Sequence, residues 1–272
     1  MTGVQTCALP ILDILSEKGS SSWLSVLPLQ DQGFNLNKGE FRDALSLRYG
    51  WQLKNTRQHC ICGKAFATDH AMICTHGGLP IVRHNEVRDI TAQWMAEVCS
   101  TVVKEPQLQP LSGEVILPRT ANRQEEARLD IRAKGFWSRQ QDAFFDVRVF
   151  HPNASSYQNT NLPALYRQHE MAKKREYGDR VREIEYAAFT PLVFSTSGGM
   201  GKETAIAYKR LADLLAQKRK LQYGITLAWM RCKLSFALIR SAITAIRGSR
   251  SASTREHTLN IDLGYWESCL YT

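Results

Sequence analysis

The sequence predicts an α/β fold in which helices flank a central mixed sheet. A small cysteine- and histidine-bearing segment stands in front, and helices close the C-terminal end. Three features predict it. Apolar and polar residues alternate in ARLDIRA (127–133) and AFFDVRVF (143–150), the period-2 mark of half-buried strands. Apolar residues recur at helical spacing in 86–99 and in the long segments after Lys202. Extended and helical segments interleave along the chain, the order that layers helices on a sheet. With 272 residues the chain is long enough for one large or two small domains with a real core.

The elements follow in order. GVQTCALPI near the start resembles translated sequencing-adapter sequence. The first eleven residues, Cys7 among them, are therefore set aside, and the chain is expected to be a piece of something longer. Residues 1–57 are a lead-in, of which 19–50 is expected to be exposed, with helical patches such as FRDALSLRYG. Residues 58–80 hold a cysteine cluster and the loop THGG. Val87, Ile90, Trp94 and Val98 form one stripe of an amphipathic helix. TVVKEPQ (101–107) is a short strand ended by Pro106, and 110–125 is a polar connection. Two strands follow. In the first, Leu129, Ile131 and Ala133 point one way, with Asp130 and Arg132 opposite. In the second, Phe145, Val147 and Val149 alternate with Asp146 and Arg148, and His151-Pro152-Asn153 stops it. A helix is expected over 163–181, a strand over 189–196 closed by Gly198-Gly199, and helices over 202–220 and 226–246. Residues 251–272 are a Ser/Thr-rich tail, expected to be flexible.

No apolar run approaches the roughly 20 residues that a membrane span needs. Seven cysteines, an odd number without a secretory leader, argue against a disulfide framework and for an intracellular chain. Four metal-ligating residues, Cys60, Cys62, His70 and Cys74, stand as C-x-C-x7-H-x3-C. Thiolates and an imidazole so spaced can close a tetrahedron around Zn²⁺, and the polar segment between them has too little apolar material to fold alone. The plainer reading is three reduced thiols near a histidine. His76 is an alternative ligand, although Gly77 and Gly78 beside it suggest a turn.

A second constellation is acidic. Asp130 and Asp146 each interrupt an apolar strand pattern, which is costly unless the carboxylates are paired or coordinated. Converging carboxylates suit Mg²⁺ or Mn²⁺. Arg148 shares the face of Asp146. On the next helix Tyr166, Glu170, Lys173 and Tyr177 share a face that can bring Lys173 toward the aspartates. The competing account is salt bridging: Asp130 with Arg132 or Arg128, and Asp146 with Arg148.

From Cys60 to about Ser249 the chain resembles the restriction-like endonuclease domain of site-specific non-LTR retrotransposons. The resemblance rests on the CCHC cluster, THGG (75–78), RHN (83–85), KEP (104–106), LDI (129–131), FDVRV (145–149), KKREYG (173–178) and AIRGS (245–249), in that order. It implies a zinc knuckle over 58–80 and a PD-(D/E)xK nuclease domain over 81–250, with a restriction-endonuclease-like sheet. It implies Asp130 and Asp146 as catalytic carboxylates holding Mg²⁺ or Mn²⁺. It also implies Lys173 as the catalytic lysine moved from strand to helix, with Arg148 left at the usual strand position. The implied activity is a DNA endonuclease that nicks a target duplex to prime reverse transcription, with the reverse transcriptase on the same original polyprotein and a nuclear place of action. Leu129 stands where the motif has proline. That departure and Arg148 keep open a non-catalytic DNA-binding or positioning module.

The other singled-out residues have two readings each. Glu86 is a candidate third ligand, and Glu105 before Pro106 is structural. His84 and Asn85 either cap the first helix or face the site. Tyr177 either contacts phosphate or packs, and Trp94 and Trp229 are core. Between Gly201 and Arg250 eleven Lys and Arg stand against Glu203 and Asp213, an excess equal to the whole net charge of +9. Lys202, Lys209, Arg210, Lys218, Arg219 and Lys220 are thus candidates for the DNA backbone. Lys218, Arg219 and Lys220 also suit the negative end of a helix, and the stretch reads equally as a solvated face.

Overall fold

A computed structural model of the chain describes residues 16–109 and 128–248. The initial eleven residues, the 110–125 connection, the 251–272 tail, Cys7, Cys269 and Ser249 lie outside these. Four strands form one mixed sheet in the order β1-β2-β3-β4. They are β1 (Thr101–Lys104), β2 (Ile131–Lys134), β3 (Asp142–Phe150) and β4 (Ala188–Ser195). β1 with β2 and β2 with β3 are antiparallel, and β3 with β4 is parallel. Helices precede, connect and follow them: α1 (Lys38–Tyr49), α2 (Thr68–Ile73), α3 (Leu79–Val98), α4 (Leu162–Lys173), α5 (Asp179–Glu183), α6 (Lys202–Arg219) and α7 (Tyr223–Arg247).

The alternation seen in the sequence puts a different core on each face of the sheet. Ile131, Ala133, Phe145, Val147, Leu192 and Phe194 pack on one face against Val87, Trp94 and Met95 of α3, Tyr208 and Leu211 of α6, and Leu234 of α7. Trp94 is fully in this core, and Trp229 packs against its edge. On the other face Phe144 meets Tyr177 and Val181, and Phe150 and Val193 meet Leu162, Leu165 and Tyr166. Each such large side chain, moved out of water, contributes about 1.5–3 kcal/mol.

Four expectations are corrected. The first helix begins at Leu79 rather than near Glu86, behind a left-handed Gly78 and with Pro80 in its first turn. His84 and Asn85 therefore lie inside α3 and do not cap it. Second, Leu129 does not share the face of Ile131. The chain bends at Asp130, ahead of β2, and Leu129 joins Leu108, Phe144 and Tyr177 on the opposite side. Third, the expected 163–181 helix is broken by a π-turn, Lys174–Gly178, between α4 and α5. Fourth, the described part of the lead-in is not exposed throughout. Trp23, Phe34 and Ala44 form a second core with Cys232, Phe236 and Ile243 of α7.

The helix ends are chemically marked. Asn37 and Glu40 form a reciprocal capping box at the start of α1, and Gly50 takes the left-handed conformation that ends it. The Asn161 side chain caps α4 by accepting from the Ala164 amide. Gly201, before α6, is forced by proximity: a Cβ there would lie 2.3 Å from Glu170 Oε1.

Candidate functional site

The cysteine cluster assembles from a turn and a short helix. His59 bridges to Ala65, the Cys60 amide donates to the Lys64 carbonyl, and Gly63 supplies the left-handed turn residue between them. This brings Cys60 and Cys62 around to His70 in α2 and to Cys74 at its C-terminal end. The four donor atoms lie within 4.8 Å of one another. Cys60 Sγ is 3.6 Å from Cys74 Sγ, and Cys62 Sγ is 3.1 Å from His70 Nε2. Thiolates at the usual zinc bond length stand about 3.8 Å apart on a tetrahedron. The four residues could bind zinc, and His76 is not one of them. Burial raises the Cys60 thiol, but hydrogen bonds from the Cys62 amide and the neighbouring ligands outweigh it and bring it down to about 6. The knuckle is bolted to the body. Met72 of α2 packs on Ala242, Ala245 and Ile246, and the buried Arg83 of α3 donates to the Met72 carbonyl and to Ser241 Oγ. Asp69 of α2 holds His151, just past β3, at 2.8 Å.

The two aspartates meet on the sheet. Asp130 stands one residue ahead of the last paired residues, Ile131 and Phe145, and its charge acts on Asp146, the residue after Phe145. The bend at Asp130 turns its carboxylate onto the backbone: the Val147 amide donates to Oδ2 at 2.6 Å. His84 Nε2, from α3, reaches the same Oδ2 at 3.0 Å. Lys173 Nζ, at the end of α4, lies 3.1 Å from Asp146 Oδ2 and 3.3 Å from Glu176 Oε2. Asp146 is 6% exposed, and its Oδ2, despite the nearby ammonium, takes no aligned hydrogen bond.

Electrostatics follow from this crowding. Burial, assisted by the charge of Asp130, raises Asp146 to about 6 even though Lys173 pulls it down. Burial lowers the His84 imidazole, but the hydrogen bond and charge of Asp130 outweigh it and leave it raised. Burial likewise opposes the Lys173 ammonium, and the charges of Asp146 and Glu176 raise it nonetheless. His169, one turn before Lys173, is neutral: burial and the charges of Arg148 and Lys173 lower it to about 4.

The structure thus brings together Asp130, Asp146 and Lys173, with Arg148 exposed on the same β3 face and making no ion pair among the described residues. No protein-family model and no curated protein matches the chain. Asp130 and Asp146 could hold a hard divalent cation. Asp146 offers a buried, unaligned oxygen, and carboxylate oxygens are the donors such ions take.

Two further candidates are not at this pair. Glu86 is two residues beyond His84, so it projects from another side of α3. Its charged neighbours are Arg240 of α7 and Arg83, and burial raises it to about 7. Glu170 is buried and accepts the Glu203 amide at 2.8 Å, capping α6. Tyr177 packs in the core beneath Lys173, whose Nζ is 5.1 Å from the ring centre. Burial, then Glu176 and the aspartates, raise its hydroxyl far above the usual phenol range, so it stays protonated. Glu105 is tied to Arg88 and Arg128, the structural part expected of it.

Spacing did not single out His169, Glu176 or Arg88. His84 was visible only as a polar residue with two readings, and the decisive information is the approach of α3 to the end of β2. Among the basic candidates, Lys202, Lys209 and Lys220 are exposed. Arg219 pairs with the Glu97 carboxylate at 2.6 Å, Lys218 donates to the Glu97 carbonyl, and Arg210 lies 3.5 Å from Asp213. No helix among the described residues is long and apolar enough to cross a membrane.

Proposed function

We propose that the protein is a metal-dependent DNA endonuclease of retrotransposon origin, with Asp130, Asp146 and Lys173 as its catalytic residues. The observation that carries the reading is the nearness of Asp130, just ahead of β2, to the buried Asp146 of β3, with the Lys173 ammonium 3.1 Å from Asp146 Oδ2. When bound, Mg²⁺ or Mn²⁺ supplies Lewis acidity toward phosphate oxygens and eases deprotonation of water. Asp130 and Asp146 would hold it. Lys173 offsets the negative charge that builds on the phosphate in the transition state. His84, sharing a proton with Asp130, orients that carboxylate. Arg148, exposed and unpaired, binds the phosphodiester backbone. Water adds its oxygen to phosphorus, the bond from phosphorus to the 3′ oxygen breaks, and that oxygen takes the proton. The products are a 5′ phosphate and the 3′ hydroxyl that a reverse transcriptase could extend. In this reading the knuckle carries structural Zn²⁺, target DNA is the partner, and Lys202, Lys209 and Lys220 follow its backbone.

A second reading is favoured by the closed ion pairs. Lys173 already contacts Asp146 and Glu176, and Asp130 Oδ2 already has two donors. Such a network is self-sufficient without a cation, and the protein would then be a non-catalytic DNA-binding module.

Nicking of supercoiled plasmid separates the two. The zinc-loaded protein should nick with Mg²⁺ or Mn²⁺ and stop when the divalent ion is omitted. Asp146→Asn and Lys173→Ala should each lose at least about 10²-fold in rate while DNA binding persists. Variants that nick at the parental rate would end the nuclease assignment. Metal-indifferent DNA binding with no nicking would establish the second reading.

A further inference from the structure

The end of α1 and the loop that leaves it carry two large aromatic side chains that the core does not use. Tyr49 is 41% exposed and Trp51 58% exposed. Their rings are stacked on each other, 5.0 Å between centres and 25° from parallel, on either side of the left-handed Gly50. Arg48 lies over the Tyr49 ring at 5.7 Å. The surroundings are electropositive. From Ala44 to Thr68 there is no Asp or Glu, while Arg48, Lys54, Arg57 and Lys64 fall in that span. Lys54 and Lys64 are exposed and form no ion pair among the described residues.

This loop is held firmly. Arg247 of α7 binds both oxygens of the buried Asp43 and also donates to the Lys54 and Asn55 carbonyls at 2.8 Å each. Arg57 donates to the carbonyls of Ile246 and Gly248. Leu53 and Phe66 pack with Met72 of the knuckle in one shared cluster. Two stacked rings on a segment fastened at so many points leave apolar surface in water outside the core clusters. A rigid ring face on a segment that carries unpaired ammonium groups and no carboxylate matches the chemistry of an unpaired nucleobase and its phosphates. Aromatic faces stack on bases of any identity, and cations track the backbone. A duplex hides its base faces except at an end, so the fit is to a single strand or a melted segment.

We infer that Tyr49 and Trp51, with Lys54 and Lys64, form a stacking platform for unpaired bases of single-stranded nucleic acid beside the zinc knuckle. It shares the nucleic-acid partner of the proposed function but needs none of its hydrolytic chemistry.

The test is fluorescence titration of a 2-aminopurine-containing single-stranded DNA oligomer, without added Mg²⁺, into the zinc-loaded full chain. The parent should quench the 2-aminopurine and should prefer the single strand to the blunt duplex. Trp51→Ala should weaken binding by about 5- to 100-fold, the effect of removing one stacked base, and Trp51→Phe should restore most of it. Lys54→Ala should lower the salt slope by about 0.7. Unchanged near-UV circular dichroism and melting temperature would show that the variants are folded. Parental affinity in folded Trp51→Ala and Tyr49→Ala proteins, absence of quenching, or preference for the duplex would each overturn the platform. Because plasmid nicking is read separately, a platform that binds in a chain that never nicks would leave this inference standing and the nuclease reading refuted. An RNA oligomer of the same sequence shows which strand the platform prefers.

Discussion

Replacing Glu86 by Gln changes one atom type and removes one charge from the space between α3 and α7. Burial raises this carboxyl from 4.5 to about 7 against the pull of Arg240 and Arg83. The folded protein therefore holds the proton more tightly than the unfolded chain does. Stability is lost as pH rises from about 4.5 to 7 and is flat above, where both states are ionised. A glutamine carries no such dependence. At 1.36 kcal/mol per pH unit the full cost is about 3 kcal/mol, and the part falling between pH 5.5 and 8 is about 2 kcal/mol. Urea unfolding of both proteins at these two pH values measures it. With an m-value of about 3 kcal/mol per M, the Gln variant should gain about 0.7 M in midpoint over the parent on going from pH 5.5 to 8. It should also nick DNA as the parent does. A midpoint difference independent of pH would refute the buried-charge argument. A variant that lost metal-dependent nicking would return Glu86 to the carboxylate pair.

Three other outcomes follow from the geometry. Cys62→Ser should lower bound zinc below the one equivalent per chain expected of the parent. A chelator should drop the parent's melting temperature toward that of the variant, since the knuckle contributes Met72 and the Arg83 acceptor to the body; metal analysis with a melting curve reads both. Arg219→Ala should destabilise by about 1–3 kcal/mol through the loss of Glu97 and of stacking on Trp229. By contrast, Lys209→Ala, exposed, should leave stability unchanged and lower the salt slope of duplex binding by about 0.9.

The parts of this fold that period alone determines were legible. Phe145, Val147 and their polar alternates read directly as β3, and the residue count between Asp146 and Arg148 put both on one face. The cluster of Cys60, Cys62, His70 and Cys74 was legible because metal ligation constrains spacing. What failed did so where tertiary contacts outrank local pattern. Leu129 fits the alternation of β2, yet the chain bends one residue later and the side chain finds its apolar partners on the far side. Position 129 also donates its amide to the Pro106 carbonyl at 3.3 Å, a bond that a proline there could not make. Trp23 and Phe34 sit among serines, glycines and prolines, so nothing local announces that α7 will cover them. Glu170 reads as a site residue by helical spacing, but the start of α6 lies nearer to it than the aspartates do.

α7 supplies side chains to three separate clusters. Leu234 joins the main core, Phe236 covers Trp23 and Phe34, and Ile246 closes the knuckle side. Arg240 reaches back more than 200 residues to the carbonyls of Gly33 and Asn35. During synthesis these partners are made first and wait for α7. At about 5–20 residues per second, Trp23 stays uncovered for on the order of 10–40 s before α7 emerges. In that interval the aromatic residues of the N-terminal segment are free to meet other nascent chains, so the yield of folded protein should depend on translation speed and on chaperone occupancy more than its final stability suggests.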